Sequence, residues 1–352
     1  MMRQSAPESR VMNVMRLTRL GGPDAFEPAT VPVPVPGPGE FLVRVGACGV
    51  CGHDALARGG SLSSKVGDIL GHEIAGKIES VGSSELEGWL GKRVALVQRR
   101  PCGDCADCIA GNTSHCRLGP GFYGDDVQGG YAEYVVAGPL NSVEVPDSID
   151  DATAAILACG VGTSFHALRL ADVKGGDVIV ITGASGGVGL HAVQLAAHFN
   201  VVVIATTTSP SKVKPIQEAG ATVVLVNPSG SEIRAAAAGF NRPRGADAVL
   251  EITGAPQFTT SLRSLGPRGR LVLIGNVSPA TLQLDPGLTI LKELQIRGSS
   301  HATRSDLVEV VSLVSTGQIR PFISQKFPLG DVAQAHAVMD ARNQTGRLVI
   351  IP

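Results

Sequence analysis

The sequence predicts an α/β protein made of a β-rich unit and a doubly wound parallel sheet, and three observations predict it. Between Val178 and Arg297, six short apolar runs rich in β-branched residues alternate with helical stretches, the pattern of a parallel sheet covered on both faces. Before that, from about residue 30 to 145, short strand-like runs are punctuated by Gly and Pro. A glycine-rich turn, "TGASGGVG" (Thr182–Gly189), sits directly between the first apolar run and a helical stretch. At 352 residues the chain is too long for one typical domain and comfortable for two.

Each element has its own justification. The opening "MMRQSAPESRVMNVMRLTRL" has scattered arginines and no continuous apolar core, so it does not read as a secretory signal. Its first dozen residues are polar and read as frayed, with Met12 a candidate second start. "VPVPVPGPGE" (Val31–Glu40) is extended by its prolines and leads into the strand "FLVRVGACGV" (Phe41–Val50). "HEIAGKIESVG", "KRVALV" and "GGYAEYVVA" continue as short strands between glycine turns. "PDSIDDATAAILACGVGTSFHALRLA" then changes period: Ser148 or Asp150 caps a helix whose apolar residues recur at helical spacing.

The parallel-sheet strands are expected at Val178–Thr182, Val201–Ala205, Thr222–Val226, Ala248–Ile252, Arg270–Ile274 and Leu294–Arg297. Six is the strand count of a doubly wound dinucleotide-binding sheet. The tail carries helices near Asp306–Ser315 and Ala333–Ala341 and a closing strand "GRLVII", which returns to complete the first unit. The most apolar stretch, Val178–Thr206, is broken by glycines, threonines, His191, Gln194, His198 and Asn200 and is no membrane span. The formal net charge of −1 contains no long run of one sign, which argues against a nucleic-acid or membrane partner. Aromatics at 4% leave no base-stacking platform. The expectation is a soluble cytoplasmic protein with reduced thiols and a small-molecule partner.

Four of the seven cysteines fall in "CGDCADCIAGNTSHC" (Cys102–Cys116). Disulfides are disfavoured in a reducing compartment, and cysteines two residues apart close strained rings. Thiolates at Cys102, Cys105, Cys108 and Cys116, with Gly103 and Gly111 letting the chain fold back, can surround one tetrahedral Zn2+ in a lobe spanning about residues 98–118. An iron–sulfur cluster is the rival, since the two-residue gaps also resemble ferredoxin spacing, and inert thiols are the third reading. With four sulfurs the shell is closed, so this metal is structural. His115 beside Cys116 is redundant to a full sulfur set, and Cys48 reads as a small core residue.

In the glycine-rich turn, Gly186 and Gly189 stand where a dinucleotide fingerprint needs close backbone approach and tight helix packing. Ala184 replaces the first glycine, with Gly183 beside it; Ser185, Gly187 and Val188 complete a turn that aims helix N–H groups at a pyrophosphate. The second strand ends in "ATTTSPSK", with Thr206, Thr207, Thr208 and Lys212 and no acid to hold a free ribose 2′-hydroxyl. Hydroxyls and a lysine accept a 2′-phosphate that a carboxylate would repel, which favours NADP(H) over NAD(H). The stretch lacks an arginine, which keeps NAD(H) open.

Together, "GVCGHD" (Gly49–Asp54), "GHEIAGKIESVG" (Gly71–Gly82), the four-cysteine lobe, "LACGVGTSFHAL" (Leu157–Leu168) and the glycine turn resemble the zinc-dependent medium-chain alcohol dehydrogenase family over nearly the whole chain. The resemblance implies a GroES-like catalytic domain (1–159 and 300–352) interrupted by a Rossmann domain (160–299), with the active site in the cleft between them. It further implies a catalytic zinc on Cys51, His72 and Cys159, giving two zincs per chain. Glu73 then matches an exchanging or neighbouring carboxylate, and Asp54 the residue that orients the ligand histidine. Thr163 matches the nicotinamide site, and Ile274, Gly275 and Asn276 at the close of the fifth strand belong to the cofactor site. Three ligands leave a fourth position for water or substrate oxygen.

Family members often carry Ser or Thr two positions after the first zinc cysteine, starting a proton relay; here His53 stands there. A relay role, packing and an alternative zinc contact are all open to it. His166, His191 and His198 read as packing or surface residues, whereas His301 has a place at the cleft as one option. The resemblance implies an alcohol dehydrogenase or carbonyl reductase that forms a homodimer or homotetramer through the edge strand near Leu294–Gly298. The alternative is an acryloyl-CoA-type enoyl reductase, to which "LVLIGNVSP" and "ILKELQIRGSSHATRSDL" are similar and which can dispense with catalytic zinc. A non-enzymatic NADPH-binding protein is the remote third.

Overall fold

The computed structural model describes residues 10–276 and 280–352. Most of the N-terminal segment read as frayed, and Val277, Ser278 and Pro279 of "LVLIGNVSP", lie outside them. The start of the described chain corrects one expectation: Val11–Leu17 is a strand, paired antiparallel with Phe26–Pro32, and Met12 is buried in it. Met12, Val14, Met15 and Leu17 supply the burial that the polar residues around them concealed.

Two large sheets organise the rest. The first has seven strands running in the order Ile323–Pro328, Arg347–Ile351, Phe41–Val50, Glu73–Val81, Arg93–Leu96 and Ser142–Glu144, with Tyr134–Ala137 also pairing with Phe41–Val50. The chain end therefore does return to the β-rich unit, with Leu348 opposite Val50 and Ile350 opposite Cys48. On its other side Phe41–Val50 places Gly49 opposite Glu73. A Cβ at Gly49 would lie 2.1 Å from a Glu73 carboxylate oxygen, so only glycine leaves that carboxylate room.

The second sheet is parallel, in the order Val223–Val226, Val202–Thr207, Val178–Ile181, Ala246–Glu251, Leu265–Leu273 and Gln295–Gly298. Numbered along the chain this is 3-2-1-4-5-6, whose switch point for ligands lies beside the first strand's carboxyl end. The six strands match the expected runs to within a few residues, except that the fifth begins at Leu265. There Leu265 already pairs with Ala246, ahead of a register shift between Ala246 and Ala248.

The sheets are joined by the helical run Asp151–Leu170, capped by the Asp150 carboxylate, which accepts from the Thr153 amide at 2.8 Å. Among the described residues this is the one run long and apolar enough to cross a bilayer, and 78% of its most apolar window is buried inside the protein. Its Ala152, Leu157, Val161 and Leu168 share one core with Ala47, Ala75 and Ala95 of the first sheet and Ile179 and Ile181 of the second. Leu157–Val161 is wound as a π-turn, an insertion that proteins often use at functional positions. Cys159 lies within it.

Candidate active site and candidate metal site

Three elements deliver the predicted ligands to one place. Cys51 directly follows the strand Phe41–Val50 and N-caps helix Gly52–Arg58, its amide donating to Asp54 Oδ2 at 3.0 Å. His72 directly precedes strand Glu73–Val81, and Cys159 is presented by the π-turn. The ligand atoms of Cys51, His72, Glu73 and Cys159 all lie within 4.8 Å of one another, and all four residues are buried. Cys51 Sγ and Cys159 Sγ are 3.9 Å apart. Two sulfurs bound at 2.3 Å to one tetrahedral ion stand about 3.8 Å apart, while a disulfide needs about 2.05 Å, so the pair fits a metal and not a bond.

Asp54 Oδ1 lies 2.9 Å from His72 Nδ1, which turns the other ring nitrogen toward the sulfurs. Burial opposes charge on His72, but Asp54 outweighs it and holds the ring's proton affinity well up; a metal ion would displace that proton. The hydrogen bond from Cys159 pulls the Cys51 thiol well down despite burial, with Arg347 and His72 acting the same way. The same contact, with burial, pushes Cys159 well up. Burial pushes Glu73 up to about 7, with Arg347 opposing.

Sequence reasoning missed Arg347. Its guanidinium is buried against Cys51 Sγ at 3.4 Å and Cys159 Sγ at 3.3 Å and forms an ion pair with Glu73. The residue before it, Gly346, donates its amide to the Ser185 carbonyl at 3.2 Å, and a Cβ on Gly187 would lie 2.6 Å from the guanidinium. Arg347 thus stands between the ligand cluster and the glycine-rich turn. The register Leu348–Val50 puts it there, and no local sequence signal marks it.

His53 is held by Asp125, Nε2 to Oδ2 at 2.8 Å, and Asp125 in turn accepts from the Ser64 hydroxyl at 2.8 Å. Its ring packs 4.9 Å from His72 and 4.8 Å from Phe122. With its Nε2 on Asp125, His53 is not in the ligand group. His301 reaches the same Phe122 ring at 5.4 Å, and Arg99 lies over it at 6.0 Å. Among the described residues, His301 Nε2 and Arg99 Nε are buried without a partner. Burial, reinforced by Arg99, holds His301 down to about 3, so the imidazole is neutral.

The turn after Val178–Ile181 has the geometry of a phosphate cradle. Gly183 adopts φ +58°, and a Cβ on Gly189 would strike the Gly183 carbonyl at 2.3 Å. Helix Gly187–His198 starts there, and its first amides, those of Gly187, Val188 and Gly189, have no intrahelical partner by geometry. Ala184 is buried, its amide on the Thr206 carbonyl at 3.1 Å, whereas Ser185 and Gly186 border the opening. Beside them lies Glu251, also missed from sequence. It is buried and accepts from Thr182 Oγ1 and the Thr253 amide at 2.8 Å and the Gly254 amide at 3.0 Å, fixing the neighbouring loop.

At the end of the second strand Thr206 and Thr207 are buried and Thr208 is exposed. Lys212 Nζ donates to the Arg342 carbonyl at 2.6 Å, so one of its three donors is engaged. Thr163 is buried with its hydroxyl 4.0 Å from Cys159 Sγ. The Ile274 and Gly275 amides bond the Glu251 carbonyl, and Asn276 is exposed. His166 pairs with Asp306, and His191 is buried with Phe322 donating to its Nε2, so both are packing residues as expected.

The four-cysteine lobe is a separate group. Cys102–Cys108 and Cys105–Cys116 sulfurs are 3.9 Å apart and Cys102–Cys116 3.6 Å, again the edge length of a tetrahedral sulfur shell. Amides of Cys102 and Gly119 donate to Cys116 Sγ at 3.3 Å, and that of Cys105 to Cys102 Sγ at 3.4 Å. Such donors favour thiolates: against its burial, the amides of Cys102, Leu118 and Gly119 pull Cys116 down to about 6. Cys48 is buried in the core as expected, and His115 is outside the group.

Comparison with known proteins identifies the family and fold of the chain. The model of the zinc-binding dehydrogenases matches residues 187–316, and that of the alcohol dehydrogenase GroES-like domain matches residues 37–147. The chain is 33% identical to an acryloyl-coenzyme A reductase of Sulfurisphaera tokodaii, over 94% of this chain and 98% of that one. It is 30% identical to an NAD-dependent alcohol dehydrogenase of the same organism, over 97% of this chain and all of the other. Among solved structures, that of AibC is similar with a TM-score of 0.89 and 39% identity, covering 100% of this chain and 99% of that one.

Proposed function

The chain belongs to the zinc-dependent medium-chain alcohol dehydrogenase family, and from that premise we propose that it moves a hydride between a nicotinamide cofactor and the alcohol or carbonyl of a small substrate. The single observation that carries this is the meeting of Cys51, His72 and Cys159 in one buried group. A zinc ion on those three supplies Lewis acidity toward a substrate oxygen. His53, oriented by Asp125, is the group placed to hold or pass a proton at the cleft. Arg99 Nε, a donor, and His301 Nε2, which donates or accepts according to the tautomer, are left for the substrate side. Cys102, Cys105, Cys108 and Cys116 hold a second, structural zinc.

The cofactor reading rests on the glycine turn Gly183–Gly189 with Arg347 beside it for the pyrophosphate, and on Thr163 and Ile274–Asn276 for the nicotinamide end. NADP(H) is favoured because Thr206–Thr208 and Lys212 bring no carboxylate to the ribose. The catalytic half is taken as residues 1–159 with 300–352 and the cofactor half as 160–299. A homodimer or homotetramer is supported by Leu284, Ile290 and Leu291, which are 47%, 74% and 86% exposed beside the edge strand Gln295–Gly298.

Enoyl-thioester reduction on the same fold is the second reading, favoured by the likeness to acryloyl-coenzyme A reductases. One experiment separates them: zinc content together with NADPH and NADH turnover on aldehyde, alcohol and enoyl-CoA panels. The carbonyl reading expects two zincs per chain, NADPH-dependent aldehyde reduction, and its loss when the cleft zinc is removed. One zinc per chain with enoyl-CoA reduction intact overturns it.

A further inference from the structure

Behind His72, away from the sulfurs, a line of polar side chains runs to the surface through apolar surroundings. Asp54 Oδ1 is 2.9 Å from His72 Nδ1, and Asp54 Oδ2 is 3.2 Å from the Tyr131 hydroxyl. Tyr131 Oη is 3.0 Å from His336 Nε2, and His336 Nδ1 is 3.1 Å from Arg58 Nη1. Arg58 Nη2 meets Asp340 Oδ2 at 2.7 Å, and its Nε donates to the Gly21 carbonyl at 2.9 Å. His72, Asp54, Tyr131, His336 and Arg58 are all buried, and only Asp340 reaches solvent. Phe26 packs 4.7 Å from the His336 ring and 5.8 Å from the Tyr131 ring, enclosing the middle of the line.

The direction of every bond follows from one residue. A guanidinium has donors and no acceptor, so His336 Nδ1 must accept from Arg58. Burial holds His336 down to about 4, so the ring is neutral and its single proton sits on Nε2. That N–H donates to Tyr131 Oη, and the phenol O–H is left to donate to Asp54. Asp54 Oδ2 also takes the Cys51 amide, so the carboxylate is pinned from both sides. Its Oδ1 is then an acceptor for His72 Nδ1–H, which leaves the lone pair of His72 Nε2 to face the sulfurs.

We propose that Arg58, His336 and Tyr131 are positioning residues, a one-way hydrogen-bond chain that fixes the tautomer and orientation of His72 from the opposite side of the catalytic half. This rests on the reading that Cys51, His72 and Cys159 hold a metal. The chain also ties helix Gly52–Arg58, which starts at ligand Cys51, to helix Val332–Asp340, which leads into the strand of Arg347.

The test has two arms. In the wild-type protein, 15N–1H correlation of the histidine rings is expected to show His336 as the Nε2–H tautomer; an Nδ1–H tautomer overturns the proposal without any variant. In the zinc- and cobalt-loaded protein, Tyr131→Phe and His336→Phe are expected to weaken cleft-metal affinity about 10- to 100-fold and to shift the cobalt–thiolate absorption. His336→Gln, whose amide can accept from Arg58 and donate to Tyr131, is expected to restore both. Variants that lose thermal stability but keep wild-type affinity and spectrum reduce these residues to packing and overturn the proposal. If wild-type protein takes up no second metal while His336 is the Nε2–H tautomer, the metal reading has failed and the directional line stands.

Discussion

The lobe and the cleft each gather metal-type ligands, but the chain builds them by opposite means. Cys102 and Cys116 are 14 positions apart, and the lobe sulfurs take hydrogen bonds from nearby backbone amides. Cys51 and Cys159 are 108 positions apart, and their sulfurs lie against Arg347, which the far end of the chain delivers. The lobe cysteines are partly exposed apart from Cys116, whereas the cleft group is wholly buried among charges. A site made by local spacing closes its own shell and stabilises a loop. A site made by strand register collects Asp54, Glu73 and Arg347 as well, and those buried charges can tune reactivity.

The sharpest way to break this contrast is to remove one sulfur from each group. Cys51→Ala is expected to lower turnover by about 10^3-fold or more, since Lewis acidity is worth several kcal/mol in a transition state. It should keep one zinc per chain and nearly the wild-type melting temperature. Cys105→Ser should do the reverse: the lobe zinc is lost, proteolysis opens residues 102–116, and stability falls by a few kcal/mol, about 5–10 °C for a chain of this size. If Cys51→Ala retains turnover, or Cys105→Ser resists both heat and protease like its parent, the division of labour is wrong.

Arg347 offers a smaller and more selective effect. Arg347→Met removes the counter-charge of Glu73, which burial then keeps protonated, and the lost hydrogen bonds are expected to cost about 1–3 kcal/mol in chemical denaturation. Adding Glu73→Gln replaces the unpaired acid by a neutral amide and should recover part of the loss. The single variant should also bind cofactor more weakly, because the guanidinium lies against Gly187. The lobe should keep its zinc in every case. A double variant no more stable than the single one would show that the pair is not coupled.

What the sequence made legible divides along the same line. The lobe was readable because Cys102, Cys105, Cys108 and Cys116 carry their geometry in their spacing. The glycine turn and the Asp150 cap were readable for the same reason, since each acts within a few residues of itself. Cys51, His72 and Cys159 came only with the family resemblance, because no periodicity links positions so far apart. Arg347, Tyr131, His336 and Asp125 were not readable at all. An arginine opening an apolar strand, or a histidine in a short helix, looks like a surface residue until register and packing place it. The strand Val11–Leu17 was missed because its pairing partner is proline-bearing Phe26–Pro32, weak in local strand signal.

The smallest expected effect concerns the other wall of the cleft. Asp306 accepts from Thr303 Oγ1 at 2.7 Å and the Thr303 amide at 2.9 Å, which caps helix Arg304–Ser315 just after the loop of His301. It also pairs with His166 at 2.8 Å and with Arg169, both on the helical run that carries Cys159. Burial resists the charge, yet His166 and Thr303 hold the Asp306 carboxyl well below the usual carboxylate range. A carboxyl depressed on folding stabilises fully above its unfolded value near pH 4, and that contribution drains away as pH falls toward the folded value. Asp306→Asn should therefore cost about 2 kcal/mol, with Arg169 exposed and the amide keeping part of the cap. The gap between wild type and variant should be fully present at pH 5 and shrink below pH 4. Being a matter of the cleft wall, it should leave lobe zinc untouched. A gap that persists unchanged to pH 2 would mean that Asp306 acts through shape and not through charge, and the contrast between a locally closed lobe and an electrostatically assembled cleft would lose its remotest support.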